Sequence, residues 1–319
     1  MLGLRSAFCP LLSAFCFLPS AFCLLLSAFC FLPSAFCLLL SALCVLYAIA
    51  MHRLSLALFL GFALTVSAPS QTKKKKVLAI GEVKGFQHDS VSHALATIER
   101  LGQESGVYDT YIRTDAQLLT KQKLEAGNAK NLNYFDAVIF YTTGELDMDD
   151  QQKKDLLSFV HDDGKGFIGI HSAIDTFYKW PEYGEMIGGY FNQHPWSVFD
   201  APMVVVDPKF PGMQLFAPAF TFKDEIYQVK NFNPDVTHVI IRMDPSKLDL
   251  SNPRVSDERR ADKNYPVSWA KMYGKGRVYY STLGHREESW DRKDVQTMYF
   301  EAIKWALGLT SADIAPNPK

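Results

Sequence analysis

The sequence has no cysteine over most of its length. All six cysteines of the 319 residues lie in the first 44, one every seven residues from Cys9 to Cys44. Thiolate chemistry and a disulfide framework are therefore excluded from residues 45–319. A chain without cysteine suits an oxidising compartment, and we expect it to fold there without disulfides.

The sequence also has no excess of either charge, with 33 Lys and Arg residues against 34 Asp and Glu. A nucleic-acid-binding protein needs a basic surplus, so we expect no nucleic-acid partner. Three catalytic or cofactor motifs are missing as well. There is no Gly-x-Ser-x-Gly, no His-Glu-x-x-His, and no Gly-x-Gly-x-x-Gly after the first predicted strand. We therefore expect no nucleotide cofactor, and any metal site must be assembled from separate loops.

Residues 1–50 form a repetitive apolar leader built from units such as SAFCFLP and SAFCLLL. A coiled coil is disfavoured because the repeat has no charged positions and because prolines interrupt it, at Pro10, Pro19 and Pro33. Hydrophobicity alone would also allow a membrane span. We interpret the leader as a translated DNA repeat upstream of the true start, and not as a folded part of the protein.

Residues 51–70 have the pattern of a secretory signal peptide. Met51 is followed by His52 and Arg53, then by the apolar run LSLALFLGFALTV, and then by small residues up to Ser70. We expect cleavage near Gln71, export to the periplasm or the extracellular space, and no stable membrane span in the mature form. The alternative is an uncleaved membrane anchor.

Short apolar runs alternate with amphipathic segments in the first half of the remaining chain. Four runs predict strands, at residues 75–81, 107–114, 135–144 and 166–171. Two segments, 89–106 and 147–164, have apolar residues at helical spacing and end at a glycine, which predicts helices. The alternation predicts an α/β fold with a mainly parallel sheet and helices on both faces.

The second half is less regular and predicts an elaboration of the same domain. Strands are predicted at 201–207 and 238–244, an edge strand or hairpin arm at 220–229, two strands joined at YGKG within 265–284, and a closing helix at 294–308. The polar stretch 243–264 predicts a long surface loop. No linker divides residues 75–308, so we expect residues 71–319 to form a single domain.

Four histidines lie just past a predicted strand or in a following loop, where open parallel sheets form their ligand sites. They are His88, His171, His194 and His285. His171 directly follows the run GFIGI, so we expect it partly buried at the rim, where a neutral imidazole needs partners for both nitrogens. Most histidines in loops or on helix surfaces have no such role, and that interpretation suits the other three after the predicted signal peptide, His93, His161 and His238.

Imidazoles bind zinc and similar divalent ions, often with a carboxylate that completes the set, and they also act as general acids and bases. The strand-end histidines therefore predict either of two sites. In a metal site, the ligands would be His88, His171, His194 and His285. In an acid–base site, the catalytic groups would be His171 and His285, with Asp175 or Glu225 as the partner.

Aromatic residues cluster near the same loops and suit a sugar, because aromatic faces stack on the apolar faces of sugar rings. Most of these aromatics are expected in the core. For substrate contacts we single out five residues: His88, Asp89, Trp196, Tyr227 and Trp290.

Several motifs occur together and in order: GFQHDS, GFIGIHSAIDTFYKWPEYGEMIGGYFNQHPW, DEIY, YPVSWAKMYGKGRVYYSTLGHREESW and AIKWALG. On these motifs, over about residues 75–309, the chain resembles the ThuA-like (trehalose utilisation) family. That family's fold resembles the class I glutamine amidotransferase domain, a flavodoxin-like three-layer sandwich. In that superfamily one strand ends in Gly-Ile-Cys and a later strand ends in a catalytic histidine. By this resemblance His171 stands at the cysteine position and His285 at the histidine position.

The missing cysteine means that thiol-dependent glutamine hydrolysis is not expected. The resemblance implies action on sugars, namely glycosides or oxidised (3-keto) glycosides. We expect an exported sugar-processing enzyme, a hydrolase or lyase with a histidine-rich strand-end site and a divalent metal such as zinc as its cofactor. The alternatives are a non-catalytic carbohydrate-binding module of the same fold and a structural relic without a ligand.

Overall fold

The computed structural model describes residues 46–47, 49, 51–52, 73–125 and 130–317. Apart from helical residues at 46–47, 49 and 51–52, the predicted repeat leader and signal peptide lie outside the described residues. Lys73–Lys319 form one compact unit. Among the residues described, no helix combines the length and the hydrophobicity that crossing a bilayer requires.

Eleven strands are present in the described part of the chain. In chain order they are β1 (Lys75–Ile80), β2 (Tyr108–Arg113), β3 (Ala137–Phe140), β4 (Gly166–Ile170), β5 (Tyr190–Gln193), β6 (Val198–Val205), β7 (Ala219–Glu225), β8 (Gln228–Lys230), β9 (His238–Met243), β10 (Pro266–Tyr273) and β11 (Gly276–Ser281). The α-helices described between residues 73 and 317 are α1 (Ser90–Ser105), α2 (Asp150–His161), α3 (Pro181–Ile187), α4 (Asp257–Asp262), α5 (Glu287–Asp291) and α6 (Lys293–Ala306).

Nine of these strands form one sheet in the order β2-β1-β3-β4-β11-β10-β9-β6-β7, and β5 pairs with β8 in a separate two-stranded sheet. Strands β2, β1, β3, β4 and β11 are parallel to one another. The extension from β11 to β7 is antiparallel at each pairing. By these pairings seven of the nine strands point the same way, which confirms the α/β class with an elaborated second half.

The sheet lies between two layers of helices. On one face α1 and α6 cover a core cluster that includes Val77, Ala79 and Ile139. On the other face α2 and α3 cover a second cluster that includes Leu78 and Val138. Successive residues of one strand thus enter different cores, because side chains alternate across a sheet. Both faces of the parallel strands are buried, as the continuous apolar runs of the sequence predicted.

Local signals set several of the element ends. Asp149 and Gln152 form a capping box at the start of α2. The predicted turn YGKG joins β10 to β11 through Gly274 (φ +57°) and Lys275. The predicted segment 220–229, expected as an edge strand or a hairpin arm, is an edge strand up to Glu225, since β7 is the last strand of the large sheet, whereas its last two residues belong to β8 in the two-stranded sheet. The predicted surface loop 243–264 is partly wrong, because it contains α4 and the buried side chain of Arg259.

Candidate functional site

Four side chains from four separate segments converge at the carboxyl-terminal edge of the parallel strands. His88 lies in the loop after β1, His171 directly follows β4, Glu225 ends β7, and His285 lies in the loop after β11. Each offers one ligand atom, and these four atoms all lie within 4.8 Å of one another. We call these four residues the His–Glu cluster. A parallel sheet brings such strand-end residues to one edge, although they are far apart in sequence.

His171 is held rigidly at the tip of β4. Its φ is +41°, a left-handed conformation that costs energy for any residue except glycine, and its side chain is fully buried. The hydroxyl of Tyr280 donates a hydrogen bond of 2.6 Å to the His171 carbonyl oxygen. His171 Nδ1 donates to the carbonyl oxygen of Thr282 at 2.6 Å, which leaves Nε2 without a proton and facing the cluster. This is how proteins orient an imidazole that binds metal through its other nitrogen.

The distances within the His–Glu cluster fit a small cation. His171 Nε2 lies 3.1 Å from His285 Nδ1. Glu225 Oε1 lies 3.4 Å from His285 Nδ1 and 3.8 Å from His171 Nε2. A tetrahedral ion with ligands at about 2.0–2.1 Å separates those ligands by about 3.3 Å. These three distances bracket this value, so His171, His285 and Glu225 fit a zinc-like ion, and His88 lies within 4.8 Å of them as a fourth candidate ligand.

His88 is the fourth residue of the cluster and packs against the rings of His171 and His285. It is 4% exposed, and its ring centroid lies 4.8 Å from that of His171 and 5.1 Å from that of His285. His88 Nε2 lies 3.3 Å from the hydroxyl of Tyr227. Its Nδ1 is buried and has no hydrogen-bond partner within the residues that the structure describes.

The electrostatics of the cluster keep its imidazoles neutral. Burial, followed by the nearby His285, lowers the pKa of His88 to about 4. Burial likewise lowers the pKa of His171 well below its usual range and also lowers the pKa of His285. Burial, together with the Asp224 and Asp175 carboxyls, raises the pKa of Glu225 to about 7. Neutral imidazoles are ready to bind a cation at neutral pH, and a cation would in turn stabilise the carboxylate form of Glu225.

A model of the ThuA family, described as trehalose utilisation, matches residues 76–306. The chain belongs to the ThuA family. Among solved structures it is similar to a putative ThuA-like protein from Bacteroides uniformis, with 18% identity and a TM-score of 0.59, covering 75% of this chain and 95% of that one. It is also similar to a putative ThuA-like protein from Parabacteroides merdae, with 16% identity and a TM-score of 0.54, covering 76% and 93%. At these identities the likeness establishes the fold. No curated protein matches the chain.

Two further predicted residues of this ThuA-family chain lie beside the cluster and not in it. His194 follows β5, is partly exposed, and places Nδ1 3.4 Å from Glu225 Oε2. Burial lowers its pKa. Asp175 follows His171 by four residues and accepts a hydrogen bond of 2.5 Å from the hydroxyl of Tyr178. Burial raises the pKa of Asp175, so this carboxyl is biased towards its protonated form.

Sequence reasoning missed Asp224, which supports the site. Its side chain is fully buried, and Oδ2 accepts hydrogen bonds from Gly284 N at 2.7 Å and Ser289 Oγ at 3.1 Å. Its Oδ1 accepts from Arg286 N at 3.1 Å and Glu225 N at 3.0 Å. Asp224 therefore ties the end of β7 to the loop that carries His285. The available signal was its position in the DEIY motif, next to Glu225.

The remaining predicted contacts are placed differently by the structure. Tyr227 is buried against the cluster, with its ring centroid 4.2 Å from that of His171. Asp89 is exposed next to His88. The ring of Trp196 packs on Phe199 and Tyr265. A contact between this side chain and a sugar stays a prediction.

Trp290, another predicted substrate contact, lies inside the protein and not at its surface. Trp290 is fully buried and stacks on Tyr299, with ring centroids 4.7 Å apart. Its Nε1 donates to the carbonyl oxygen of Gly284 at 3.1 Å. No ring face is open to a sugar, and the side chain instead supports the loop that leads to His285.

Proposed function

We propose that this ThuA-family protein is an exported, metal-assisted enzyme that acts on glycosides or keto-sugar derivatives. The observation that carries the proposal is the His–Glu cluster, in which three neutral imidazoles and one carboxylate converge at the spacing of a divalent cation. The family description, trehalose utilisation, supports a sugar as the substrate. The signal-peptide pattern of residues 51–70 supports export.

The ligands of the ion would be His88, His171, His285 and Glu225. A zinc-like ion bound there supplies a Lewis acid that polarises a substrate oxygen. The chain's own part is to hold the ligands in place. Thr282 fixes the tautomer of His171, and Asp224 fixes the loop of His285. Because these supports are buried and hydrogen-bonded, little reorganisation is needed when the site fills.

His194 and Asp175 are the groups available for proton transfer. A ketone in a sugar ring acidifies the neighbouring C–H, and a neutral imidazole can take that proton. His194 suits this role because it lies at the open side of Glu225 and its pKa is lowered. As the C–H bond breaks, a double bond forms and the glycosidic C–O bond breaks. The leaving oxygen then takes a proton from Asp175, whose raised pKa favours the protonated form.

Metal analysis of the purified protein, followed by a screen of glycosides and 3-keto-glycosides, tests the proposal. We expect about one equivalent of a divalent metal, loss of turnover with a chelator, and recovery on addition of zinc. His171→Ala should abolish metal binding and turnover. The matched control is His93→Ala, because His93 lies on the partly exposed surface of α1, bonds to Asp291, and is not one of the cluster residues.

Two results would count against the enzyme. Sugar binding without metal or product would favour the non-catalytic carbohydrate-binding module. Equal metal content in His171→Ala and in the wild-type protein would mean that the cluster is not the metal site.

A further inference from the structure

Phe86 exposes its aromatic ring beside the His–Glu cluster. It is 65% exposed, whereas phenylalanine is usually buried. Its ring centroid lies 4.8 Å from that of His88 in an edge-to-face arrangement, with an angle of 72° between the ring planes. A single exposed hydrophobic residue is ordinary on a protein surface. The position of this one, in contact with a buried cluster ligand, is what requires an explanation.

The loop that carries Phe86 is fixed to the segment after β3. Lys84 N donates to the Thr143 carbonyl oxygen at 2.8 Å, and Thr143 Oγ1 donates to the Phe86 carbonyl oxygen at 2.9 Å. Gly144 has a φ of +80°, and a Cβ there would lie 2.9 Å from Gly85 N. The two loops are thus packed backbone to backbone. A ring presented by so rigid a loop binds a ligand without first having to be ordered.

Phe86 is the exposed end of a row of rings that crosses the cluster. Next to Phe86 stands His88, which lies 3.3 Å from the hydroxyl of Tyr227. The ring centroid of Tyr227 lies 4.4 Å from that of Phe191, which is half-buried. A small molecule bound over the cluster would therefore contact aromatic rings at its edges. At its centre it would contact the imidazole nitrogens and the carboxylate of the cluster.

The surroundings of Phe86 favour a small ligand over a protein or a membrane. Its neighbours Lys84, Gly85 and Gln87 are exposed and offer no contiguous apolar patch, which a macromolecular partner would need. A single exposed aromatic face beside polar groups matches a pyranose ring. Such a ring has an apolar face of C–H groups and a polar rim of hydroxyls.

We propose that Phe86 is the platform on which a pyranose ring of the substrate stacks beside the His–Glu cluster. This inference rests on the proposed function and deepens it, since it assigns recognition of the sugar ring to a residue outside the cluster. The platform selects for ring sugars over open-chain polyols, because only a ring offers a flat apolar face.

The test compares Phe86→Ala, Phe86→Trp and the control Tyr134→Ala by ligand-observed NMR titration. Tyr134 is a partly exposed aromatic that precedes β3, so it lies at the opposite edge of the sheet. The probes are trehalose and methyl α-glucopyranoside, with sorbitol as the open-chain control. We expect Phe86→Ala to weaken binding of both ring sugars by about threefold to tenfold. Phe86→Trp and Tyr134→Ala should bind them as the wild-type protein does, and binding of sorbitol should not change.

Equal affinity of Phe86→Ala and the wild-type protein for the ring sugars would overturn the proposal, and so would equal losses in Phe86→Ala and Tyr134→Ala. Failure of the wild-type protein to bind either ring sugar would overturn it as well. The titrations are run with and without zinc, and zinc content is measured for each variant. Suppose that neither the wild-type protein nor any variant binds zinc, but Phe86→Ala still loses affinity for ring sugars. The proposal of a metal-assisted enzyme then fails, whereas the proposal that Phe86 stacks on the sugar ring stands.

Discussion

His171 Nε2 and His285 Nδ1 lie 3.1 Å apart although 114 positions of sequence separate the two residues. His171 Nε2 carries no proton, because Nδ1 donates to Thr282. In the metal-free protein His285 Nδ1 must therefore be the donor of this pair. A cation that binds both nitrogens has to move that proton to the other nitrogen of His285.

The support that Asp224 gives to the cluster leads to a first prediction. Asp224→Asn replaces one acceptor oxygen with an NH₂ group that faces backbone donors. We expect zinc affinity to fall about tenfold to 100-fold and the free energy of unfolding to fall by about 1–3 kcal/mol. Zinc competition with a chelator and urea denaturation measure the two effects. Asp207→Asn is the control, since Asp207 pairs with His238 away from the cluster. Equal zinc affinities in the two variants would show that Asp224 does not support the site.

The raised pKa of Glu225 leads to a second prediction, for the metal-free protein. The pKa of Glu225 is about 7 in the folded state, and its ordinary value of 4.5 applies to the unfolded chain. Folding therefore favours the protonated carboxyl. The folded state is therefore penalised increasingly as pH rises from about 4.5 to about 7. Glu225→Gln removes this penalty. We expect the variant to be more stable than wild type at pH 8, by at most about 3 kcal/mol because solvent at the rim screens part of the effect.

The advantage of Glu225→Gln should disappear near pH 4.5. Urea denaturation at a series of pH values, with a chelator present, measures it. The lowered pKa of His88, about 4, acts in the opposite direction in both proteins, because stability is lost as pH falls from 6.5 towards 4. It therefore cancels in the difference between them. A difference that stays constant with pH would contradict the assignment.

The backbone conformation of His171 leads to a third prediction. Its positive φ suits glycine, so His171→Gly should be more stable than His171→Ala by about 1 kcal/mol in the metal-free state. Both variants lose the same imidazole, so the comparison isolates the backbone. At the neighbouring Ser172, where φ is not positive, the order should reverse, with Ser172→Ala more stable than Ser172→Gly. Urea denaturation of all four variants provides the measurement.

Export is a fourth prediction, and it depends on the sequence alone. N-terminal sequencing of the protein from its native host should find a start near Gln71. Immunoblotting of periplasmic and culture-medium fractions should locate the mature form outside the cytoplasm. Recovery of intact SAFC repeats from the mature protein would contradict both the late start and the cleavage.

The sequence predicted the elements with strong local signals. The apolar run before His171 and the glycine turn at YGKG depend on near neighbours only, and the structure has a strand and a hairpin there. The strand-end rule also selected His88, His171 and His285, because the edge of a parallel sheet gathers such residues whatever their separation.

Residues whose placement depends on distant packing could not be assigned from sequence. Asp224 serves the site because the end of β7 lies against Gly284, and no local pattern predicts that contact. Trp290 looked like a sugar contact because it follows His285 closely, yet the ring of Tyr299 covers it. His171 was expected to be partly buried and is fully buried, because Tyr227 and His88 pack on it.

The residues of the His–Glu cluster extend from His88 to His285, so they come from both ends of the folded unit Lys73–Lys319. This unit contains no cysteine. An ion held there would close several long loops at once, as disulfide cross-links do in many secreted proteins. During synthesis such a cross-link cannot form until the last strand, β11, has reached its place beside β4. Metal uptake would then be a late step in maturation, and a chelator would act as a reductant acts on a disulfide-linked protein.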